Sequence, residues 1–214
     1  MDAAQVLSAP RQALAADIGV LTEVLHADVN LALWQRRLSA PVGAFAQTLL
    51  AQREPLAQTL HIAVGRVEDA PDLRGLVADY ADLPGQSAFL ADVSYLVRAF
   101  ACLLDAREIG LRLRRLEHAM CPRFHVDKVP LRLITSYVGP GSQWLKEQAL
   151  ARWRLGSAAA ETLDPAHIQH SDVGHVLLAK GEKWPGNEGR ALVHRSPPLA
   201  TGQARLLLTL DWLA

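Results

Sequence analysis

The feature that most constrains this chain is a change of hydrophobic period near Arg107. Beyond it, Ile109, Leu111 and Leu113 alternate with Gly110, Arg112 and Arg114, the two-residue period of a strand with one buried face. Before it, from residue 13 to about 60, apolar residues recur at helical spacing, as in Leu21, Val24, Leu25 and again Phe45, Leu49, Leu50, with Pro41 and Pro55 as breaks. That spacing also puts Trp34 on an N-terminal helix, with Arg36 and Arg37 on its solvated face. A short β-branched run at 60–67, closed by Glu68-Asp69-Ala70-Pro71, is a strand embedded among helices, and residues 86–105 read as an amphipathic helix.

After the change of period, further short strands are expected at 123–127, 131–138, 173–180, 191–194 and 204–211, separated by Pro/Gly-rich turns. Short strands with such turns predict a barrel or jelly roll. The expected architecture is α+β: a cupin-like jelly-roll barrel over residues 107–214, with a mainly helical part, 1–106, packed on its outside as one compact unit.

Half of the 214 residues are hydrophobic, and 22 Lys plus Arg balance 22 Asp plus Glu. Such a chain folds around a sizeable core and has no net field to draw it to nucleic acid or anionic lipid. A small-molecule partner is the expectation, with no nucleic acid and no membrane. The start, Met1-Asp2-Ala3-Ala4, is not a secretory leader, and the apolar runs fall short of the roughly 20 residues that span a bilayer. A cytoplasmic protein is expected, with Cys102 and Cys121 as reduced thiols. The oligomeric state is not legible.

The residues that carry chemistry are polar ones inside the expected barrel. On a strand, His125 and Asp127 project from one face, so imidazole and carboxylate can converge on one ion. His194, at the end of a later strand, supplies a third ligand. Two histidines and one carboxylate form the facial triad that leaves coordination positions open on non-haem Fe(II). Past Ser196-Pro197-Pro198 and Thr201-Gly202, a turn-rich connection folding the last two strands into a hairpin, comes Arg205 among Leu206, Leu207, Leu208 and Leu210. A guanidinium there is costly to bury without an anion. An ion pair with Asp127 or Glu182 is the alternative to an external carboxylate.

An H-x-D pair, a distant His and an Arg beyond it, all on barrel strands, resembles the double-stranded β-helix of Fe(II)/2-oxoglutarate-dependent oxygenases. The resemblance covers roughly residues 107–212. It implies that His125, Asp127 and His194 hold Fe(II), that 2-oxoglutarate is the co-substrate, and that Arg205 grips its far carboxylate. Many such oxygenases pair the Arg with a Ser two residues later, where this chain has Leu207. Thr209, on the same face as Arg205 by parity, and Tyr137 or Thr135 on the strand after the H-x-D pair are the candidate substitutes. The segments Cys121-Pro122-Arg123-Phe124-His125-Val126-Asp127, Tyr137-Val138-Gly139-Pro140-Gly141-Ser142-Gln143-Trp144, Lys180-Gly181-Glu182 and His194-Arg195-Ser196-Pro197 also resemble an uncharacterised bacterial family of unknown function found near zinc-responsive genes. That resemblance implies Zn(II) as the alternative metal, with Cys121 as a soft ligand. Four residues of strand span about 13 Å, so Cys121 joins His125 only across a break such as Pro122.

Other polar residues have plainer readings. His167, His170 and His175 fit a polar loop better than a second metal site, and Gly139-Pro140-Gly141 fits a tight turn. Trp144 and Trp184 either cap the barrel core or line its mouth. Substrate choice is expected from the loops at 139–147 and 181–189.

Overall fold

The computed structural model describes residues 9–52, 54–66, 69–157 and 163–213. In chain order the regular elements are β1 (Arg11–Ala15), a 3-10 helix (Ile18–Leu25), β2 (Val29–Trp34), α1 (Ala40–Ala51), β3 (Ala57–Ala63), α2 (Gln86–Leu104), β4 (Glu108–Leu116) and β5 (Leu131–Val138). They continue with β6 (Gln143–Leu145), β7 (Ile168–His170), β8 (Val176–Lys180), β9 (His194–Arg195) and β10 (Arg205–Trp212). The strands make a seven-stranded sheet, ordered β1-β2-β8-β5-β10-β4-β3, and a three-stranded sheet, ordered β7-β6-β9.

Both faces of the large sheet are covered. In β10, Leu206, Leu208 and Leu210 join Leu131, Leu133 and Tyr137 of β5 under α1 and α2, whose Phe45, Phe89, Val93 and Phe100 complete this core. Leu207 turns the other way and packs with Ile134, Leu33, Leu177, and Trp144 and Leu192 from the small-sheet side. Strands buried on two faces read as continuous apolar runs rather than alternations. The central strands β2, β5, β8 and β10 are buried on both faces, β2 and β8 as nearly continuous apolar runs and β5 and β10 with polar residues set among them, and β4, nearer the edge, keeps its alternation.

This double burial explains where sequence and structure part. Residues 13–60 are not one helical region: β1 and β2 lie in it, Leu21 and Val24 sit on the 3-10 helix, and Phe45 and Leu49 on α1. Val29–Trp34 is almost wholly apolar and buried, and over six residues a buried strand and a buried helix have no period to separate them. Trp34 is therefore on a strand. Arg36 is not solvated either; its side chain is 8% exposed and paired with Asp92 on α2. Three strands from before residue 106 are hydrogen-bonded into the same sheet as β4, β5, β8 and β10. The embedded strand runs from 57 to 63, while Val67, its expected end, lies outside the described residues.

The helix expected at 86–105 is α2, with Phe89, Val93, Leu96, Val97 and Phe100 on its buried stripe. By length and composition alone it is apolar enough to cross a membrane, contrary to the sequence estimate. Here its stripe packs on the sheet, and Asp92 within it accepts hydrogen bonds from Arg36 and Tyr137. Residues 123–127 form no regular strand; a single bridge joins His125 to His194. Strand β8 starts at Val176 because Gly174, at φ 85°, turns the chain just before it. Strands β9 and β10 are not a hairpin. They belong to different sheets, and the connection between them crosses the sandwich.

Candidate metal and anion site

His125, Asp127 and His194 do converge. One ligand atom from each lies within 4.8 Å of the others. His194 Nε2 is 3.5 Å from Asp127 Oδ2, His125 Nε2 is 3.6 Å from Oδ1, and the imidazole centroids are 4.6 Å apart. Ligands about 2.1 Å from one ion are about 3.0–3.4 Å from each other in octahedral or tetrahedral arrangements, so the two His–Asp distances are within a few tenths of an ångström of that range, while the group as a whole, spread over up to 4.8 Å, closes further around an ion.

The backbone sets the tautomers. His125 Nδ1–H donates to the Arg123 carbonyl at 3.0 Å and His194 Nδ1–H to that of Leu192 at 3.2 Å. Nε2 of both rings thereby faces the centre, where it carries a proton shared with Asp127 or, once deprotonated, offers its lone pair to a metal, the arrangement that orients metal-binding imidazoles. The two segments are held in register by mutual His125 and His194 backbone bonds of 3.0 and 2.9 Å. Asp127 is held too: Arg132 Nη1 donates to its Oδ2 at 2.8 Å. Burial raises the Asp127 pKa, but hydrogen bonds with both histidines and the charges of His194 and Arg132 outweigh it and hold the carboxyl far below the usual range.

Arg205 lies on the same inner face. It is 1% exposed. Its Nε donates to Ser136 Oγ at 2.9 Å and one Nη2 hydrogen to Ser142 Oγ at 2.8 Å. Neither is charged, and among the described residues no carboxylate reaches this guanidinium. Asp127 pairs with Arg132, and Glu182 accepts from the Gly189 amide, so the internal ion pair considered from sequence is absent. Burial alone pushes the Arg205 pKa down to about 10. The remaining N–H donors of the planar fork suit an incoming carboxylate.

Two glycines allow the chain to pass close by Arg205 and its neighbours. At Gly139, φ 81°, a Cβ would sit 2.5 Å from the Ala204 carbonyl and 2.9 Å from Arg205 Cα. At Gly141 it would lie 2.0 Å from the Ser171 carbonyl. The Gly139-Pro140-Gly141 turn thus wraps the start of β10 and delivers Ser142 to the guanidinium.

The proposed hydroxyl partners need correction. Tyr137 and Thr135 lie on the opposite face of β5, toward the helices. The Tyr137 hydroxyl donates to Asp92 at 2.6 Å, and the Thr135 hydroxyl is buried without a partner among the described residues. Ser136, between them, has the correct parity and is opposite Leu207 in the β5/β10 register. That parity was legible once β5 was set beside β10. Ser142, on a loop, had no period to reveal it. Thr209 shares the inner face, opposite Ile134 and Arg112, without a hydrogen bond to Arg205. Arg132 and Asp211, whose carboxylate accepts from both Arg132 and Arg112, were also missed.

Trp144 is a core residue: 1% exposed, paired with His194 across the small sheet, its indole N–H donating to Gln12. Trp184 packs near Trp212 under the Lys180 ammonium. Cys121 is exposed and outside the three-ligand group, its backbone bonded to Ser196. His170 and His175 flank Asp172 at the surface at 4.0 and 3.8 Å, and among the described residues the only candidate metal group is the one above. Loop residues Glu147, Glu188 and Gly189 border a cavity of about 470 Å³ with Leu145 and Val193, on the face of the small sheet turned away from His194.

The family described as protein of unknown function, DUF1826, matches residues 15–211, and the chain belongs to it. No curated protein matches the chain. Among solved structures, AviO1 from Streptomyces viridochromogenes Tue57 is 16% identical, covering 94% of this chain and 96% of that one, with a TM-score of 0.49. A Pseudomonas putida prolyl-4-hydroxylase is 13% identical, with coverage of 92% and 98% and a TM-score of 0.45. A rice dioxygenase for auxin oxidation is 12% identical, with coverage of 91% and 76% and a TM-score of 0.48.

Proposed function

We propose that this chain is an Fe(II)/2-oxoglutarate-dependent dioxygenase built on a double-stranded β-helix. One observation carries the reading. A His-carboxylate-His group and a buried guanidinium without a counter-anion share the interior between two facing sheets. The donor set fits the metal, because neutral imidazoles and a carboxylate suit Fe(II) and leave coordination positions open. The guanidinium fits the co-substrate, because a dicarboxylate can bind the metal at one end and Arg205 at the other.

In this reading His125, Asp127 and His194 hold the ion, which when bound supplies dioxygen activation for hydroxylation of a substrate C–H bond. Arg205, steadied by Ser136 and Ser142, fixes the far carboxylate of 2-oxoglutarate. Arg132 keeps Asp127 ionised and aimed. Leu207 and Trp144, both buried, keep water from the space between.

The test is anaerobic loading with Fe(II) and 2-oxoglutarate. A visible charge-transfer band is expected, lost in His194→Ala and Arg205→Ala, with succinate formed when oxygen is admitted. Absence of both band and succinate overturns the reading. Zinc retained through purification together with no 2-oxoglutarate complex transfers the site to metal handling.

A further inference from the structure

The inner face of the large sheet is strongly cationic although the chain as a whole is neutral. Cross-strand partners share a face, so the β10 register with β4 and β5 places Arg112, Arg114, Arg132 and Arg205 on the side turned to the metal ligands, with one carboxylate, Asp211. Asp211 is shared: Oδ1 accepts from Arg132 Nε at 2.5 Å and Oδ2 from Arg112 Nη1 at 2.6 Å. Arg132 also reaches Asp127. Arg114 bonds uncharged groups, the Gln58 carbonyl and the Thr59 hydroxyl.

A divalent ion on Asp127 takes up that carboxylate's charge. Arg112 and Arg132 are then left with Asp211 alone between them, and the excess positive charge lies at Arg112, whose side chain is 46% exposed. Arg205 is on the far side of the metal group, at the other end of β10, where it is fully buried. An anion entering from solvent therefore meets Arg112 first, three guanidinium-carboxylate links, roughly 10 Å, from the metal ligand Asp127.

We infer that the substrate is an organic acid, held through its anionic group by Arg112 on the exposed side of Asp211. This rests on the proposed function, since it assigns the position left open beside metal and co-substrate. Arg112 is here a specificity-determining residue, and the reacting C–H bond lies about 10 Å from the anion it holds.

The test uses Mn(II)-loaded protein saturated with 2-oxoglutarate, titrated with benzoate and with benzamide as its neutral match, reading tryptophan fluorescence and melting temperature. Benzoate is expected to bind at least about tenfold more tightly. Arg112→Gln is expected to bring the two within about twofold, and Arg112→Lys to keep most of the preference. Equal binding of benzoate and benzamide, or a preference that Arg112→Gln leaves intact, overturns the inference. A separate titration of 2-oxoglutarate into the Mn(II) protein reads the other proposal. No melting shift with 2-oxoglutarate, beside an Arg112-dependent shift with benzoate, removes the oxygenase and keeps the anion site.

Discussion

Two buried arginines lie on opposite faces of one sheet and have opposite circumstances. Arg36, under the helices, donates to both carboxylate oxygens of Asp92 at 2.6 and 3.0 Å and to the Gly174 carbonyl at 2.9 Å. Arg205, between the sheets, has two serine hydroxyls. Burial lowers the pKa of each, but at Arg36 the Asp92 hydrogen bonds and charge more than restore it, whereas at Arg205 nothing offsets burial. A chain selected only to be stable would not keep a desolvated cation unpaired. The first arginine ties a helix to the sheet, and the second has no charged partner among the described residues, the place the proposed function gives to a carboxylate.

The largest expected effect breaks the self-contained pair. Asp92→Ala leaves the Tyr137 hydroxyl buried without a partner and the Arg36 cation with no counter-charge, holding only the Gly174 carbonyl, and is expected to cost about 3–5 kcal/mol in urea unfolding. A loss below about 1 kcal/mol would mean that the two arginines do not differ. Arg205→Met should do the reverse: unliganded stability unchanged or raised by about 1–2 kcal/mol, with 2-oxoglutarate affinity reduced at least about 100-fold, both read by calorimetry. A destabilised Arg205→Met variant would make that arginine structural.

Smaller effects sharpen the contrast. Arg132→Met removes the group that aims Asp127, and equilibrium dialysis should show metal affinity reduced about 10- to 100-fold. Lys180 is a third buried cation, 1% exposed, its ammonium donating to the His26 carbonyl and its pKa pushed down to about 8 by burial. Its folded pKa lies below its unfolded one, so between about pH 8 and 10.5 the unfolded chain binds more protons and this residue makes stability rise with pH. That rise should be missing from Lys180→Met when unfolding midpoints are compared across the window. Smallest is Ser142→Ala, about 1 kcal/mol in 2-oxoglutarate binding with little change in melting.

The two faces also differ in how much of them the sequence disclosed. Arg205 stood out because a cation in an apolar strand is costly and therefore informative, and the metal ligands through the H-x-D spacing, although residues 123–127 form no regular strand. Strand β4 and helix α2 showed their periods because one side of each faces water or loosely packed neighbours. Strand β2 did not, since Val29–Trp34 is buried on both sides. Ser136 was hidden by a missing register: with β5 unplaced against β10, Thr135 and Tyr137 were equally good hydroxyls. Arg112 was legible as an outward residue of an alternating strand, but which outside it faced depended on the small sheet, whose strands β6 and β9 are three and two residues long.

The crossing from β9 to β10 has a consequence for selectivity. His194 belongs to one sheet and Arg205 to the other, so the gap between ion and guanidinium is set by how far apart the sheets stand, not by a loop. Trp144, Leu192 and Leu207 act as the spacer. For the diacid proposed above, the core is thus a gauge block for its length, and shaving it, as in Leu207→Ala, would retune which diacid spans the gap while leaving His194 and Arg205 in place.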